Sequence, residues 1–175
     1  MIFMFKDIKI IADGEKAKFA AELFAEEIEI RTSKKPLVFD KKTGDCYVEL
    51  KLVDESECED FSIEHEKEKI TVTAHRLRGL IYGYSVFLRK CRVIDGELAL
   101  TKDISGKYSP YMPIRGHQLS YTDMNNTYET WDEKQYERYI RDLMMFGTNT
   151  VEACLGDDEK HTDFCLLYTS PSPRD

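Results

Sequence analysis

Apolar and polar residues along this chain fall into two rhythms, and the switches between them lay out the elements. Residues 6–12 (KDIKIIA) run from alternation into a short apolar stretch, which predicts a strand. Asp13-Gly14 follows, with Asp13 placed to cap a helix. Over 15–31 the apolar residues Phe19, Ala20, Leu23, Phe24 and Ile28 recur at helical spacing, and Lys18, Glu22 and Glu26 occupy the other side. Pro36 ends any continuation. Residues 45–53 (DCYVELKLV) alternate with period two, placing Cys46, Val48, Leu50 and Leu52 on one face of a half-buried strand.

Residues 61–65 and 69–74 form a second alternating pair around Glu66-Lys67-Glu68. Phe61, Ile63, Ile70, Val72 and Ala74 point inward, which predicts a hairpin with a charged tip. A helix is expected over 77–90, burying Leu80, Ile81, Tyr84, Phe87, Leu88 and Cys91. It carries Gly79 and Gly83 four residues apart, each costing about 1 kcal/mol of helix propensity. Close approach of helix to sheet is the expected compensation. Residues 97–101 offer a further short strand. The order β-α-β-β-β-α predicts an α+β domain over 1–101, a small sheet with two helices on one face.

Residues 102–113, with Gly106, Pro110 and Pro113, read as a linker. A new unit follows. Residues 114–121 (IRGHQLSY) predict a strand, and 123–128 a polar loop. Thr130-Trp131-Asp132-Glu133 has the form of a capping box. Tyr136, Tyr139, Ile140, Leu143 and Met144 make a helical stripe, Gly147 suits the C′ position, and 148–154 predict a second strand. Residues 114–164 are thus a β-α-β unit, which cannot cover its own sheet. One complete small domain is expected, followed by the start of a larger one.

Composition narrows the classes. With 33% charged residues, 42% hydrophobic and a formal net charge of −8, the chain is of globular type. The acidic balance disfavours nucleic acid, which needs a basic face. No run is apolar enough to span a bilayer, so no membrane partner is expected. Met1–Phe5 is too short for a secretory leader, which with a native start favours the cytoplasm. Five scattered cysteines, Cys46, Cys58, Cys91, Cys154 and Cys165, lack zinc-ligand spacing and read as free thiols, with Cys46, Cys91 and Cys154 as small buried hydrophobes. No phosphate loop or nucleophile motif supports a small-molecule α/β enzyme.

Two resemblances add to this. The segment 61–91 follows a pattern of a Y-x-L/I-x-V strand, a tight turn, I-x-I-x-A and then G-x-x-Y-G-x-x-x-L. Ile63, Ile70, Val72, Ala74, Gly79, Tyr82, Gly83 and Phe87 stand in the matching places. This resembles the small α+β domain that precedes the catalytic barrel in bacterial beta-N-acetylhexosaminidases and, more distantly, alpha-glucuronidases. Met112–Gly116 (MPIRG) is similar to that group's P-x-R-G at the first barrel strand, and Gly147–Asn149 to its K-x-N. The resemblance implies a (β/α)8 barrel beginning at 114, a carbohydrate substrate, no cofactor and no metal. Hydrolysis there uses an acid with a second carboxylate or the substrate's acetamido group. Those carboxylates come from later strands, so the fragment is expected to be inactive.

The resemblance also implies which residues touch sugar. Arg115 matches an arginine that hydrogen-bonds sugar hydroxyls, a task suited to its planar fork of donors. His117 and Gln118 follow, and one of them must face the barrel interior. Asp123, Asn125, Asn126 and Tyr128 lie in the loop after the strand, with Asp123 and Asn126 as candidate sugar ligands. Two departures put N-acetylglucosamine specificity in question. The L-D-x-S-R-H that follows the arginine in the group is HQLSYTDMNNTY here, and its histidine after the second strand is absent. Glu152 sits on a strand where the group places no acid, Trp131 reads as a staple of its helix, and the acidic run 54–60 (DESECED) as a solvated loop. The rival expectation is a non-catalytic carbohydrate-binding or interaction module. Residues 165–175 (CLLYTSPSPRD) have no period and resemble a transposon-end sequencing adapter translated in one frame, so genuine sequence is expected to end near Phe164.

Overall fold

The computed structural model describes residues 2–53, 58–119 and 131–153. The chain divides into two units, Met1–Pro113 with Met144–Gly147, and Ile114–Leu143 with Thr148–Asp175.

The first unit is mixed α+β. Its main sheet is built from β2 (Lys9–Ala12), β3 (Val38–Phe39), β4 (Tyr47–Leu52), β5 (Phe61–Glu66), β6 (Lys69–Ala74) and β9 (Gly106–Tyr108). Their order across the sheet is β3-β2-β4-β6-β5-β9. The strands β3, β2, β4 and β6 run parallel, β5 is antiparallel to β6, and β9 is antiparallel to β5 and so runs with the other four. Register places Ile10, Val48 and Ile70 in one row, and Ala12, Leu50, Val72 and Ile63 in the next. These rows belong to the core formed with α1 (Glu15–Thr32) and α2 (Leu77–Lys90). Phe24 of α1 stacks on Tyr84 of α2 with centroids 4.7 Å apart and meets Phe87 edge-on, which locks the helix pair.

Gly79 and Gly83 answer the question their propensity cost raised. A Cβ at Gly83 would lie 2.2 Å from Cγ1 of Val72 and 3.3 Å from Cδ2 of Phe61. One at Gly79 would lie 2.8 Å from Cβ of Ala74. α2 therefore sits so close to β5 and β6 that these turns have no room for a side chain. The two glycines are what permits that packing.

Several local expectations need correction. The first strand is shorter than 6–12 and is preceded by β1 (Phe3–Phe5), which pairs with β8 (Glu97–Leu100). β8 in turn pairs with β7 (Cys91–Ile94), and the three make a second small sheet. The cap of α1 is Gly14, at φ 86°, with no side-chain cap bond, so Asp13 does not cap it. Phe19 is 52% exposed, and the buried stripe of α1 is instead alanine-rich: Ala17, Ala20, Ala21 and Ala25 beside Phe24 and Ile28. β4 is not half-buried at its start: Tyr47 and Glu49 are covered on the outer face as well. Lys42 lies over the Tyr47 ring, and Lys42, Lys51 and Thr71 all reach the Glu49 carboxylate.

The stretch 102–113 is not only a linker, because β9 within it pairs with β5. Tyr108 stacks flat on Phe61, with centroids 4.9 Å apart. Ahead of β9, the Ser105 hydroxyl accepts from the His65 backbone N–H at 3.1 Å and donates to Asp103 at 2.7 Å. The Ser105 backbone N–H also donates to Asp103 at 2.9 Å, and the His65 ring nitrogen Nδ1 lies 3.1 Å from the same oxygen. The Ser105 backbone bond first, then its hydroxyl, then the His65 ring hold the Asp103 carboxyl below the usual carboxylate range. Among the described residues Cys46, Cys58 and Cys91 form no disulfide, and Cys46 and Cys91 are partly buried. Burial pushes the Cys46 thiol to about 11 and the Cys91 thiol to about 12. Cys154 and Cys165 lie outside the described residues.

The second unit holds β10 (Gly116–Leu119), β11 (Thr150–Ala153) and all but the last two residues of α3 (Glu133–Met145), Met144 and Met145 being grouped with the first unit. β10 and β11 are parallel, as a crossover through a helix requires.

Candidate functional site

The sequence points to the strand that begins after Pro113, and three features fix its surroundings. The first is the helix start. The Asp132 carboxylate accepts the Gln135 backbone N–H at 2.9 Å, and the Gln135 side chain accepts the Asp132 N–H at 2.9 Å. This is a reciprocal capping box of the form D-x-x-Q, two residues later than the Thr130–Glu133 reading. The second is the helix end. Gly147, at φ 95°, donates to the Met144 carbonyl at 2.9 Å, and Thr148 donates to that of Leu143 at 3.1 Å. That pair of bonds is a Schellman motif with glycine at C′. The third is the parallel register, which sets Gly116 opposite Thr150, His117 opposite Val151 and Gln118 opposite Glu152.

Arg115 stands at the entry to β10 and is half-buried. Its backbone is gripped from both sides by one residue. The Arg115 N–H donates to the Asn149 side-chain oxygen at 2.9 Å, and the Asn149 N–H donates to the Arg115 carbonyl at 3.0 Å. The Thr150 N–H reaches the same carbonyl at 3.4 Å. Asn149 thus sets the position from which Arg115 projects. The K-x-N likeness marks Asn149 in the sequence, but this clamp is visible only once the two strands are side by side.

His117 turns toward the helix. Its Nε2 and the Tyr139 hydroxyl are 3.0 Å apart, and the two rings meet edge-on at 5.6 Å. Trp131 packs edge-on against Tyr139 and Tyr136, with centroids 5.0 and 5.6 Å away. Trp131, Tyr139 and His117 therefore form a chain of ring contacts that ties the start of α3 to β10. Strand alternation then puts Gln118 on the face of β10 away from α3, where it is exposed, as are Thr150 and Glu152 on β11. Of the two side chains left open by the sequence, Gln118 takes the free face and His117 the helix face.

Asp123 and Asn126, with Asn125 and Tyr128, lie outside the described residues, as does the 54–57 part of the acidic run. The rest of that run is tied up locally. Glu59 pairs with Arg78 at 2.9 Å, and Asp60 accepts from the Ser109 hydroxyl at 2.7 Å. That bond, followed by one from Cys58, lowers the Asp60 carboxyl. Among the described residues no group of three or more His, Cys, Asp or Glu side chains is placed to hold a metal ion. Nor is any helix among them long and apolar enough to cross a membrane.

No protein-family pattern matches this chain, and no curated protein matches it by sequence. Solved structures do match. An inactive mutant of the GH20 exo beta-N-acetylglucosaminidase of Vibrio harveyi superposes with a TM-score of 0.71 at 17% identity, covering 90% of this chain and 24% of that one. The GH20 beta-N-acetylhexosaminidase of Streptomyces coelicolor A3(2) gives 0.70 at 16%, covering 90% and 32%. A GH138 enzyme targeting pectin rhamnogalacturonan II gives 0.58 at 15%, covering 89% and 22%. At such identities the likeness establishes the fold: a mixed α+β arrangement shared with GH20 glycoside hydrolases. The chain spans between a fifth and a third of the length of these enzymes.

Proposed function

We propose that this chain is the opening portion of a glycoside hydrolase. In this reading the first unit is an accessory domain. The second is the first β-α-β step of a (β/α)8 barrel. The observation that carries it is a fold likeness running through both units, over nine-tenths of the chain, to enzymes that are all glycoside hydrolases. Among structures of this fold, those of the Vibrio harveyi and Streptomyces plicatus enzymes hold N-acetylglucosamine. A terminal N-acetylhexosamine of a glycan is therefore the leading substrate, and a uronate, as for alpha-glucuronidases, the alternative. The reaction is acid/base hydrolysis through an oxocarbenium-like transition state. Its carboxylates come from later barrel strands.

Arg115 is the proposed sugar contact in this chain, held in place by Asn149. Asp123 and Asn126, which follow the strand in the sequence, are the further proposed contacts, because such barrels place their sites at the C-terminal ends of their strands. His117 contributes by fixing β10 against α3 through Tyr139. The adapter likeness of 165–175 fits a gene whose true reading frame continues past Phe164 into the catalytic remainder.

Titration calorimetry and amide NMR with methyl N-acetylglucosaminide test the reading. Weak binding that Arg115→Ala abolishes supports it. Binding that maps to the first unit and survives Arg115→Ala supports a carbohydrate-binding module in its place.

A further inference from the structure

The free face of β10 and β11 carries a pair that neither the sequence likeness nor the structural likeness assigns. Gln118 and Glu152 are in register on adjacent parallel strands, and both are exposed. They stand third of four residues along their strands, one step from the C-terminal ends. Adjacent strands are about 4.8 Å apart, so the two side chains rise side by side. Thr150 lies on the same face one pleat below Glu152, and its hydroxyl donates to the Asn149 side-chain oxygen at 3.1 Å. His117 and Val151 belong to the opposite face, so α3 does not cover this one.

The chemistry of the pair is specific. The amide of Gln118 offers two N–H donors and one acceptor, and the carboxylate of Glu152 is a pure acceptor. A vicinal diol matches this set: one hydroxyl oxygen accepts from the amide while the neighbouring hydroxyl donates to the carboxylate. Hydrogen bonds to a charged acceptor are the stronger kind. An anionic ligand meets a like charge at Glu152 and is disfavoured.

We propose that Gln118 and Glu152 form a hydroxyl-reading subsite for an uncharged pyranose and that Glu152 rejects uronates. This rests on the glycoside hydrolase reading and deepens it by choosing between its two substrate classes.

The test uses the whole 175-residue chain, isotope-labelled, with methyl N-acetylglucosaminide and methyl glucuronide as probes. The neutral sugar is expected to shift the Gln118 side-chain amide and the Glu152 backbone signals. Gln118→Ala and Glu152→Ala are each expected to weaken binding roughly tenfold, the scale of one hydrogen bond involving a charged group. Glu152→Gln is expected to bring glucuronide affinity up to that of the neutral sugar. All three changes are at exposed positions, and unchanged amide spectra elsewhere verify folding. Shifts centred on Arg115 that bypass Gln118 and Glu152 overturn the subsite and leave the hydrolase reading standing. Equal affinity for both sugars in the parent overturns the charge selection. Shifts confined to the first unit, or no shifts, overturn both proposals.

Discussion

Replacing Gly83 with alanine should destabilise the first unit, although alanine is the better helix former. Intrinsic propensity favours Gly83→Ala by about 1 kcal/mol. Against this stands the new methyl, which would lie 2.2 Å from Cγ1 of Val72, well inside contact distance. Val72 is fully buried and β-branched, so its side chain has one narrow well and no space to turn into. Phe61 Cδ2, 3.3 Å from the same methyl, is a second tight neighbour. Overpacking of this kind costs about 1–3 kcal/mol. The upper end applies here because the obstacle is stiff, which leaves a net loss of about 2 kcal/mol. For a unit of this size that lowers the melting temperature by about 8 °C.

Urea unfolding followed by far-UV circular dichroism measures the loss. Val72→Ala alone should cost about 2 kcal/mol, from two buried methyl groups and the cavity they leave. Combined with Gly83→Ala, it should cost about 3 kcal/mol less than the sum of the single changes, because it removes the obstacle and with it the overpacking, while the propensity gain of alanine remains. A Gly83→Ala protein as stable as the parent, or strict additivity in the pair, would refute the close approach of α2 to β6.

Other outcomes follow from the same structure. Gly79→Ala meets a smaller neighbour, Ala74 at 2.8 Å, and should lose about 1 kcal/mol in the same urea assay. Asp132→Ala removes one half of the capping box and should cost α3 about 1 kcal/mol, read as faster amide hydrogen exchange over Glu133–Met145. The Cys46 and Cys91 thiols titrate higher when folded than unfolded, so folding holds their protons. That contribution is complete below the ordinary thiol range and is lost as pH rises from about 9 towards 11, so the urea midpoint should fall over that window. A Cys46→Ala, Cys91→Ala protein whose midpoint falls just as steeply would show that the thiols are not responsible. The purified chain should not turn over aryl glycosides, and measurable turnover lost in Glu152→Gln would move catalysis into this unit.

How much of the fold is legible in the sequence follows the strength of its periodicity. The hairpin of β5 and β6 is readable because Phe61, Ile63, Ile70, Val72 and Ala74 repeat every second residue with polar residues between them, and all five are buried. The Gly79–Gly83 spacing is readable because glycine inside a helix has a cost that only packing offsets. β1 is not: three residues carry no period, and its partner β8 lies more than 90 residues further along. β9 is hidden for a related reason, since Gly106 and the prolines that follow, Pro110 and Pro113, have loop composition while the pairing comes from the edge of β5. Phe19 misleads because phenylalanine at helical spacing looks like core, whereas the close pairing of α1 with α2 and the sheet favours small alanines.

In the second unit both caps of α3 are visible in the sequence, one of them two residues early. Thr130 and Asp132 are both good N-cap residues, and a box can be drawn from either. At the candidate site, Arg115 is legible as a residue type in a motif. The side of the strand taken by His117 is not, because a lone four-residue strand has no burial pattern of its own until Tyr139 supplies one. The grip of Asn149 on Arg115 joins residues 34 apart in the chain, and no local pattern encodes it.

The central proposal is that the second unit is the first step of a catalytic barrel that the rest of the gene completes. The most direct measurement is an independent nucleotide sequence of the gene, read across codon 165. After about Phe164 the reading frame should depart from CLLYTSPSPRD and continue through further strand–helix repeats that carry an acidic catalytic pair. Genomic sequence that encodes CLLYTSPSPRD unchanged and then stops would contradict the claim.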